Sequence, residues 1–201
     1  MTRQLAFDLP TREQFRREDF FISPANATAL AAIDGWKGWP GGKMLLVGPK
    51  GSGKTHLARL WAAEAGAAVI AGADLADADL PGLSAHGAVA VEDAECVAGQ
   101  PAHEAAFFHL HNLVTQAGHL LVTAARPPRD WGLRLPDLAS RLQAAALTRL
   151  DPPDDALLSA VLIKLFSDRQ ITVPPALIPY LVLRMERSIA AARALVTELD
   201  A

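Results

Sequence analysis

Short, uninterrupted apolar runs recur along the first three quarters of the chain, and segments of helical character separate most of them. The runs of strand length cover residues 44–47, 67–71, 88–91, 119–123 and 146–150. The helical segments between them cover residues 55–65, 103–116 and 137–143. Strands that alternate with helices predict an α/β fold with a parallel sheet covered on both faces. The runs are continuous rather than strictly alternating, which predicts strands buried on both sides.

The pattern changes near residue 151, where the sequence DPPDD ends the alternation. Two adjacent prolines fit neither a strand ladder nor a helix interior, whereas Asp154 or Asp155 can cap a following helix. Beyond this point the pattern predicts helices alone, over residues 155–169, 175–186 and 188–200. We therefore expect a tail over 1–10, an α/β base domain over 11–150 and a helical lid over 151–201.

Composition narrows the class of protein. With 201 residues, of which 51% are hydrophobic, the chain can bury a substantial core. A net charge of −3 provides no strongly basic face, so we expect no sequence-specific DNA binding. The single cysteine, Cys96, excludes an internal disulfide and is typical of a reducing compartment. The N-terminus lacks the apolar core of a signal peptide, and no run is long enough for a membrane span, so we expect a cytoplasmic protein.

The sequence GPKGSGKT at positions 48–55 matches the P-loop (Walker A) pattern in full, between a predicted strand and a predicted helix. Glycines let the backbone curl so that successive N–H groups point at phosphate oxygens, and the helix N-terminus adds its positive dipole end. A chance match is on the order of one per cent. The loop and the residue after it therefore predict a binding site for ADP or ATP, formed by Pro49, Lys50, Gly51, Ser52, Gly53, Lys54, Thr55 and His56.

Two side chains of this site have specific roles, and a third residue upstream is a candidate for the base. Lys54 is expected to reach the β and γ phosphates, and the Thr55 hydroxyl is expected to hold Mg²⁺. Upstream, the sequence FFI at positions 20–22, with Phe21 at its centre, either walls an adenine pocket or packs in the core.

The apolar strand at 88–91 ends in two carboxylates, Glu92 and Asp93. A second strand that delivers an acid beside the phosphate loop completes the Mg²⁺ site of P-loop proteins. Glu92 is expected to bind the metal, directly or through water. Asp93 is expected to polarise the attacking water as a general base. The alternative is a solvated strand end, which is common for acidic pairs.

Six stretches follow one another along the chain: FFISPAN at 20–26, KMLLVGPKGSGKTHL at 43–57, VEDAECVAG at 91–99, FFHLHN at 107–112, LVTAARPP at 121–128 and LASRL at 138–142. Together and in this order they resemble the bacterial replication initiator family, DnaA. The resemblance implies an AAA+ fold, with a five-stranded parallel sheet of order 5-1-4-3-2 and a small helical lid over the nucleotide. It also implies that Arg141 is an arginine finger, which acts on ATP held by a neighbouring initiator molecule.

Within that family the chain is most similar to the short relatives of the Hda kind, which promote hydrolysis of initiator-bound ATP. The resemblance ends where the initiator's DNA-binding helices would begin. The sequence QLAFDL at 4–9 resembles the motif by which such proteins dock on the sliding clamp. Leu5, Phe7 and Leu9 would be apolar anchors and Gln4 a hydrogen-bonding residue. The implied partners are DnaA and the clamp, and a homo-oligomer is left open.

Three positions depart from the family pattern. Glu92 stands where Asp is usual, Ala125 where the strand-end Asp is expected, and Ala190 where the lid arginine is expected. Thr123 is the hydroxyl nearest to the second position, and Arg193 or Arg187 could face the phosphates in place of the third. We therefore expect weak intrinsic ATPase activity at most, with ADP or ATP as the working ligand. The alternatives are an independent P-loop kinase or motor, a non-hydrolysing scaffold, and a helicase-loader-like ATPase.

Overall fold

The central sheet has five parallel strands in a computed structural model that describes residues 20–200. The strands are β1 (Lys43–Val47), β2 (Ala68–Ala71), β3 (Ala88–Glu92), β4 (His119–Ala124) and β5 (Ala146–Arg149). Their spatial order is β2-β3-β4-β1-β5, which confirms the predicted order of 5-1-4-3-2 and the α/β class. The clamp motif with Gln4, Leu5, Phe7 and Leu9 lies outside the described residues and stays a prediction.

Five helices precede or follow these strands: α1 (Ala27–Asp34), α2 (Lys54–Ala65), α3 (Leu80–Ser84), α4 (Pro101–Val114) and α5 (Pro136–Gln143). Successive strand residues point to opposite faces of the sheet, so each face has its own core. Leu45 and Val47 pack with Phe107 of α4 and Leu138 of α5, whereas Met44 and Leu46 pack with α1 and α2. The apolar runs thus let helices cover both faces of the sheet.

The two edge strands differ from the three central ones. In β2 and β5 the residues alternate between half-buried or buried and exposed positions. Val69 in β2 is 40% exposed and Leu147 in β5 is 39% exposed. The prediction of burial on both faces is therefore correct for β1, β3 and β4 and wrong for β2 and β5, because only one face of each outer strand packs against a core.

Three further helices follow the sheet: α6 (Asp155–Asp168), α7 (Leu177–Val182) and α8 (Ile189–Leu199). They share a separate apolar cluster, which includes Leu162 and Phe166. The middle helix is shorter than predicted, because the amides of residues 184 and 185 both donate to the Leu181 carbonyl and tighten the last turn. Within residues 20–200, no helix combines the length and the apolar character that a membrane crossing needs.

The caps of two of these helices are side chains. Asp154 Oδ1 accepts a hydrogen bond of 2.8 Å from the Leu157 amide at the start of α6. Ser188 Oγ accepts one of 3.0 Å from the Ala191 amide at the start of α8. Such caps satisfy amides that have no partner within the helix. Both helices therefore begin at fixed positions, and the start of α8 lies against the phosphate loop.

Candidate nucleotide site

The loop between β1 and α2 has a shape that only glycine fits at three positions. Gly51 and Gly53 have φ angles of +78° and +104°, in the region that side-chain-bearing residues rarely adopt. A Cβ on Gly48 would overlap the Leu150 carbonyl oxygen, and a Cβ on Gly51 would overlap the Ser188 side chain. The loop is therefore a tightly packed backbone cradle at the carboxyl edge of β1.

Lys54 is folded back onto this cradle. Its ammonium donates hydrogen bonds to the carbonyl oxygens of Gly48, at 2.9 Å, and Pro49, at 3.1 Å, and the residue is only 7% exposed. Burial lowers the pKa of Lys54, while the nearby carboxylates of Asp93 and Glu95 act in the opposite direction. Beside it, the buried Ser52 hydroxyl has no hydrogen-bond partner among the described residues. The cradle thus offers one cation and one unsatisfied hydroxyl to a bound anion.

The carboxylate of Glu92, at the end of β3, lies beside α2. Its Oε2 is 3.7 Å from an Arg59 guanidinium nitrogen, while its buried Oε1 has no hydrogen-bond partner among residues 20–200. Thr55 precedes Arg59 by four residues, so both lie on one face of α2. Hydroxyl and carboxylate oxygens are ligands that Mg²⁺ prefers. Thr55 and Glu92 therefore supply oxygen ligands of the type that suits a divalent cation, although Arg59 shares the carboxylate.

Asp93 is exposed and has a left-handed backbone, with φ of +49°. Its amide donates a hydrogen bond of 3.1 Å to the hydroxyl of Thr123, which is fully buried at the end of β4. A positive φ at a residue with a side chain costs of order 1–3 kcal/mol and is commonly found at functional sites. The Thr123 hydroxyl thus holds the turn that presents Asp93.

Sequence reasoning missed Glu95, which belongs to the same turn. Its Oε1 accepts a hydrogen bond of 2.7 Å from the Ala125 amide, and its Oε2 is buried with no partner among the described residues. Burial lowers the pKa of Lys54, and the Glu95 charge opposes that shift, after the larger effect of Asp93. Ala125, which stands where a strand-end carboxylate is expected, is therefore in contact with a carboxylate supplied by the turn after β3. The sequence EDAE at 92–95 carried the signal, since its last carboxylate follows the first two by one short turn.

The last helix meets the phosphate loop directly. The Ile189 amide donates a hydrogen bond of 2.9 Å to the Gly51 carbonyl. Arg187, just before α8, forms an ion pair of 2.6 Å with Asp155 and donates to the Pro153 carbonyl. It therefore fastens α8 to the start of α6. Arg193 is half-buried in the second turn of α8, and its role toward phosphates stays a prediction.

The segment before α1 approaches the loop through one aromatic ring. The rings of Phe20 and His56 meet edge to face, with centroids 5.5 Å apart. Phe21 is 39% exposed, and its carbonyl accepts a hydrogen bond of 2.8 Å from the Asn26 side chain. Phe20 is therefore the residue in contact with His56, and the assignment of Phe21 to an adenine wall stays a prediction.

Arg141 lies at the opposite edge of the sheet. It is exposed near the end of α5, with its guanidinium 5.0 Å from the centroid of the Phe108 ring. The chain then enters β5, which pairs with β1 through Ala146 and Met44, at the amino end of both strands. The phosphate loop follows the carboxyl end of β1, about 13 Å further along the strand. Arg141 is therefore not part of its own chain's nucleotide site.

No protein-family model matches the chain, but its structure is similar to solved structures. Domain III of the Thermotoga maritima replication initiation protein DnaA matches with a TM-score of 0.76 and 18% identity, over 95% of this chain and 89% of that one. A replication initiator DnaA bound to AMPPCP and single-stranded DNA matches with a TM-score of 0.75 and 17% identity, over 93% of this chain and 65% of that one. The FIGL-1 AAA domain in complex with ADP matches with a TM-score of 0.66 and 16% identity, over 88% of this chain and 68% of that one.

These similarities show that the chain has the AAA+ P-loop fold. The chain spans less than two thirds of the length of the initiator bound to AMPPCP and DNA, 65% of it.

Proposed function

We propose that this chain is an ADP- or ATP-binding AAA+ regulator of bacterial replication initiation, of the Hda kind. It docks on the sliding clamp and promotes hydrolysis of ATP bound to the initiator DnaA. The observation that carries the proposal is the position of Arg141, which is exposed at the sheet edge opposite its own phosphate loop. An arginine in that position can stabilise charge only in the nucleotide site of another molecule.

The chain's own nucleotide has a binding role. The backbone cradle at 48–53 and Lys54 bind the phosphates, and Thr55 and Glu92 hold Mg²⁺, which neutralises phosphate charge when bound. His56 and the aromatic residues at 20–21 border the base. Arg59 lies 3.7 Å from Glu92 and so opposes the carboxylate's charge, which favours slow hydrolysis. Asp93 is the residue that would orient water if the chain hydrolyses its own ATP.

The trans-acting role belongs to Arg141. Arginine fingers raise the rate of GTP hydrolysis by 10³–10⁵-fold, because the guanidinium stabilises charge that develops on the transferred phosphoryl group. Stacking on Phe108 limits the directions in which the guanidinium can point. The residues of the clamp motif, Gln4, Leu5, Phe7 and Leu9, would bring this finger to DNA-bound initiator.

The experiment follows phosphate release from ATP-bound initiator in the presence of ADP, this chain and clamp-loaded DNA. Arg141→Ala and a triple variant with Gln4, Leu5 and Phe7 changed to Ala run beside the wild type. We expect the wild type to raise release and both variants to lose the effect while still binding ADP. Tight ADP binding by a wild type that leaves release unchanged would reject the trans-acting mechanism.

A second candidate function is a nucleotide-binding scaffold or helicase-loader-like ATPase. The contact between Arg59 and Glu92 favours it, because a neutralised metal-binding acid suits a chain that binds nucleotide without hydrolysing it. In that case the chain binds its partner stoichiometrically, and Arg141→Ala has no effect on the partner's ATP.

A further inference from the structure

Lys43, in β1, and Arg141, in α5, both lie against the same face of α4. The Lys43 ammonium nitrogen is 3.2 Å from His111 Nε2, and the Arg141 guanidinium is 5.0 Å from the Phe108 ring centroid. Phe108 and His111 are three residues apart in α4, so their side chains are neighbours on one face. Two positively charged side chains from different elements are thus held next to each other by one helix.

The sheet topology requires this proximity. Lys43 is the first residue of β1, and its neighbour Met44 pairs with Ala146, the first residue of β5. Helix α5 ends at Gln143, only three residues before β5 begins. Arg141 therefore cannot move far from the start of β1 without breaking the pairing of β5.

The two cations of this pair have no carboxylate partner within the described part of the chain. Neither Lys43 nor Arg141 takes part in any of the ion pairs found among residues 20–200. His111 is 1% exposed, and burial together with the Lys43 charge lowers its pKa to about 4. It is therefore neutral near pH 7, and its Nε2 accepts a hydrogen bond from the Lys43 ammonium. The nearby Arg141 charge also contributes to the lowered pKa of Lys43, after the larger effect of burial.

Two like charges without a counter-charge disfavour each other in the isolated protein. An anion with several negative oxygens would relieve that repulsion and bind both cations. Preorganised cations aimed at developing charge are also the largest contribution to catalysis in many phosphoryl-transfer sites. The polyphosphate of a nucleotide held by another molecule has the chemistry that fits.

We propose that Lys43 and Arg141 form one anion-binding site for the triphosphate of initiator-bound ATP, an inference that rests on the proposed function. Arg141 contacts the γ-phosphate, and Lys43 binds a neighbouring phosphate oxygen of the same nucleotide. His111 is a positioning residue, which orients the Lys43 ammonium from the buried side.

The test measures single-turnover phosphate release from ATP-bound initiator, with clamp-loaded DNA and saturating chain. Lys43→Gln keeps a donor for His111 and removes the charge, whereas Lys43→Arg keeps the charge. We expect Lys43→Gln to lower the maximal rate about tenfold, an effect within reach of one partly buried charge, with little change in the half-saturating concentration. Lys43→Arg should recover most of the rate. Lys164→Gln, which removes a lysine paired with Asp168 on α6, is the matched control and should act as wild type.

ADP affinity and thermal melting show whether each variant is folded, and Lys43→Met serves as a second neutral variant if Lys43→Gln melts below the assay temperature. If Arg141→Ala loses stimulation while a folded neutral variant of Lys43 keeps the full rate, Lys43 has no part in the site and the proposed function stands. If the wild type itself fails to stimulate release, both proposals are rejected. A rate lost equally in Lys43→Gln and Lys43→Arg would show a packing role and also overturn the inference.

Discussion

The carboxyl edge and the amino edge of the sheet carry their charges in different ways. At the carboxyl edge, Lys54 is near Asp93 and Glu95, and Arg59 is 3.7 Å from Glu92. At the amino edge, Lys43 and Arg141 are near each other and near a neutral His111. The first edge balances its charges internally, whereas the second has an excess of positive charge that suits an anion from another molecule. Under the proposed function, the first edge binds the chain's own nucleotide and the second acts on a nucleotide held by a partner.

The largest expected effect is on stimulated phosphate release, and it comes from a change at the amino edge. Arg141→Ala should lower stimulated phosphate release by about 10³-fold or more, as expected for an arginine finger, and leave ADP binding by the chain unchanged. Titration calorimetry with ADP and a phosphate-release assay measure the two properties separately. Arg129→Ala is the matched control, because Arg129 is highly exposed and pairs with its neighbour Asp130. A parallel loss of ADP binding in Arg141→Ala would mean that the two edges are not independent.

The amino edge should also respond to acid. The pKa of His111, about 4 in the folded protein, is below its value of about 6.5 in an unfolded chain. The unfolded state therefore binds a proton first, and the stability that this residue contributes is complete above pH 6.5 and is lost as the pH falls toward 4. The expected loss is about 3 kcal/mol.

Urea unfolding between pH 7 and pH 4 measures this loss. His111→Gln should depend less on pH than the wild type, because it has no group that titrates there. His86→Gln, which changes an exposed histidine, should keep the wild-type dependence. Equal pH dependence in all three proteins would contradict the buried, neutral state of His111.

A smaller effect is expected at the carboxyl edge, where the loop meets α8. Gly51→Ala adds a Cβ at φ +78° that overlaps Ser188, and we expect a loss of about 2–3 kcal/mol from backbone strain and the clash together. Gly66→Ala is the control, since Gly66 has φ +66° but no atom within 4 Å of the added Cβ. It should lose about 1 kcal/mol from backbone strain alone. Denaturant unfolding of the two variants compares them, and equal losses would show that the Ser188 contact contributes nothing.

The smallest expected effect tests the charge balance between Arg59 and Glu92 at the carboxyl edge. Arg59→Gln removes the positive charge beside Glu92, and a half-exposed ion pair is worth about 0.2–1 kcal/mol. The enhancement of ADP affinity by Mg²⁺ should therefore rise by a few fold. Calorimetry with Mg²⁺ and with a chelator measures it directly. An unchanged enhancement would show that Arg59 does not compete for the carboxylate.

The sequence predicted the sheet more completely than the site. The five apolar runs gave the strands, and the resemblance to DnaA gave their order, because the P-loop and strand-end motifs mark successive elements. The exposed sides of β2 and β5 did not follow from the runs, since Val69 and Leu147 are as apolar as buried residues. Glu95 and Lys43 were missed for another reason. Glu95 contacts Ala125 across 30 positions and Lys43 contacts His111 across 68, so no local pattern shows either contact. The sequence EDAE at 92–95 marks Glu95 as a further acid but not its partner.

The hydrogen bond from the Ile189 amide to the Gly51 carbonyl has a consequence for dynamics. The amide is protected from exchange with solvent deuterium only while α8 is seated on the loop. Its exchange rate therefore measures how often the two separate. A ligand that requires both elements would slow exchange at this single position, while the amides in the middle of β1 would keep the slow exchange of the sheet. The exchange of one amide would thus report how often α8 separates from the phosphate loop.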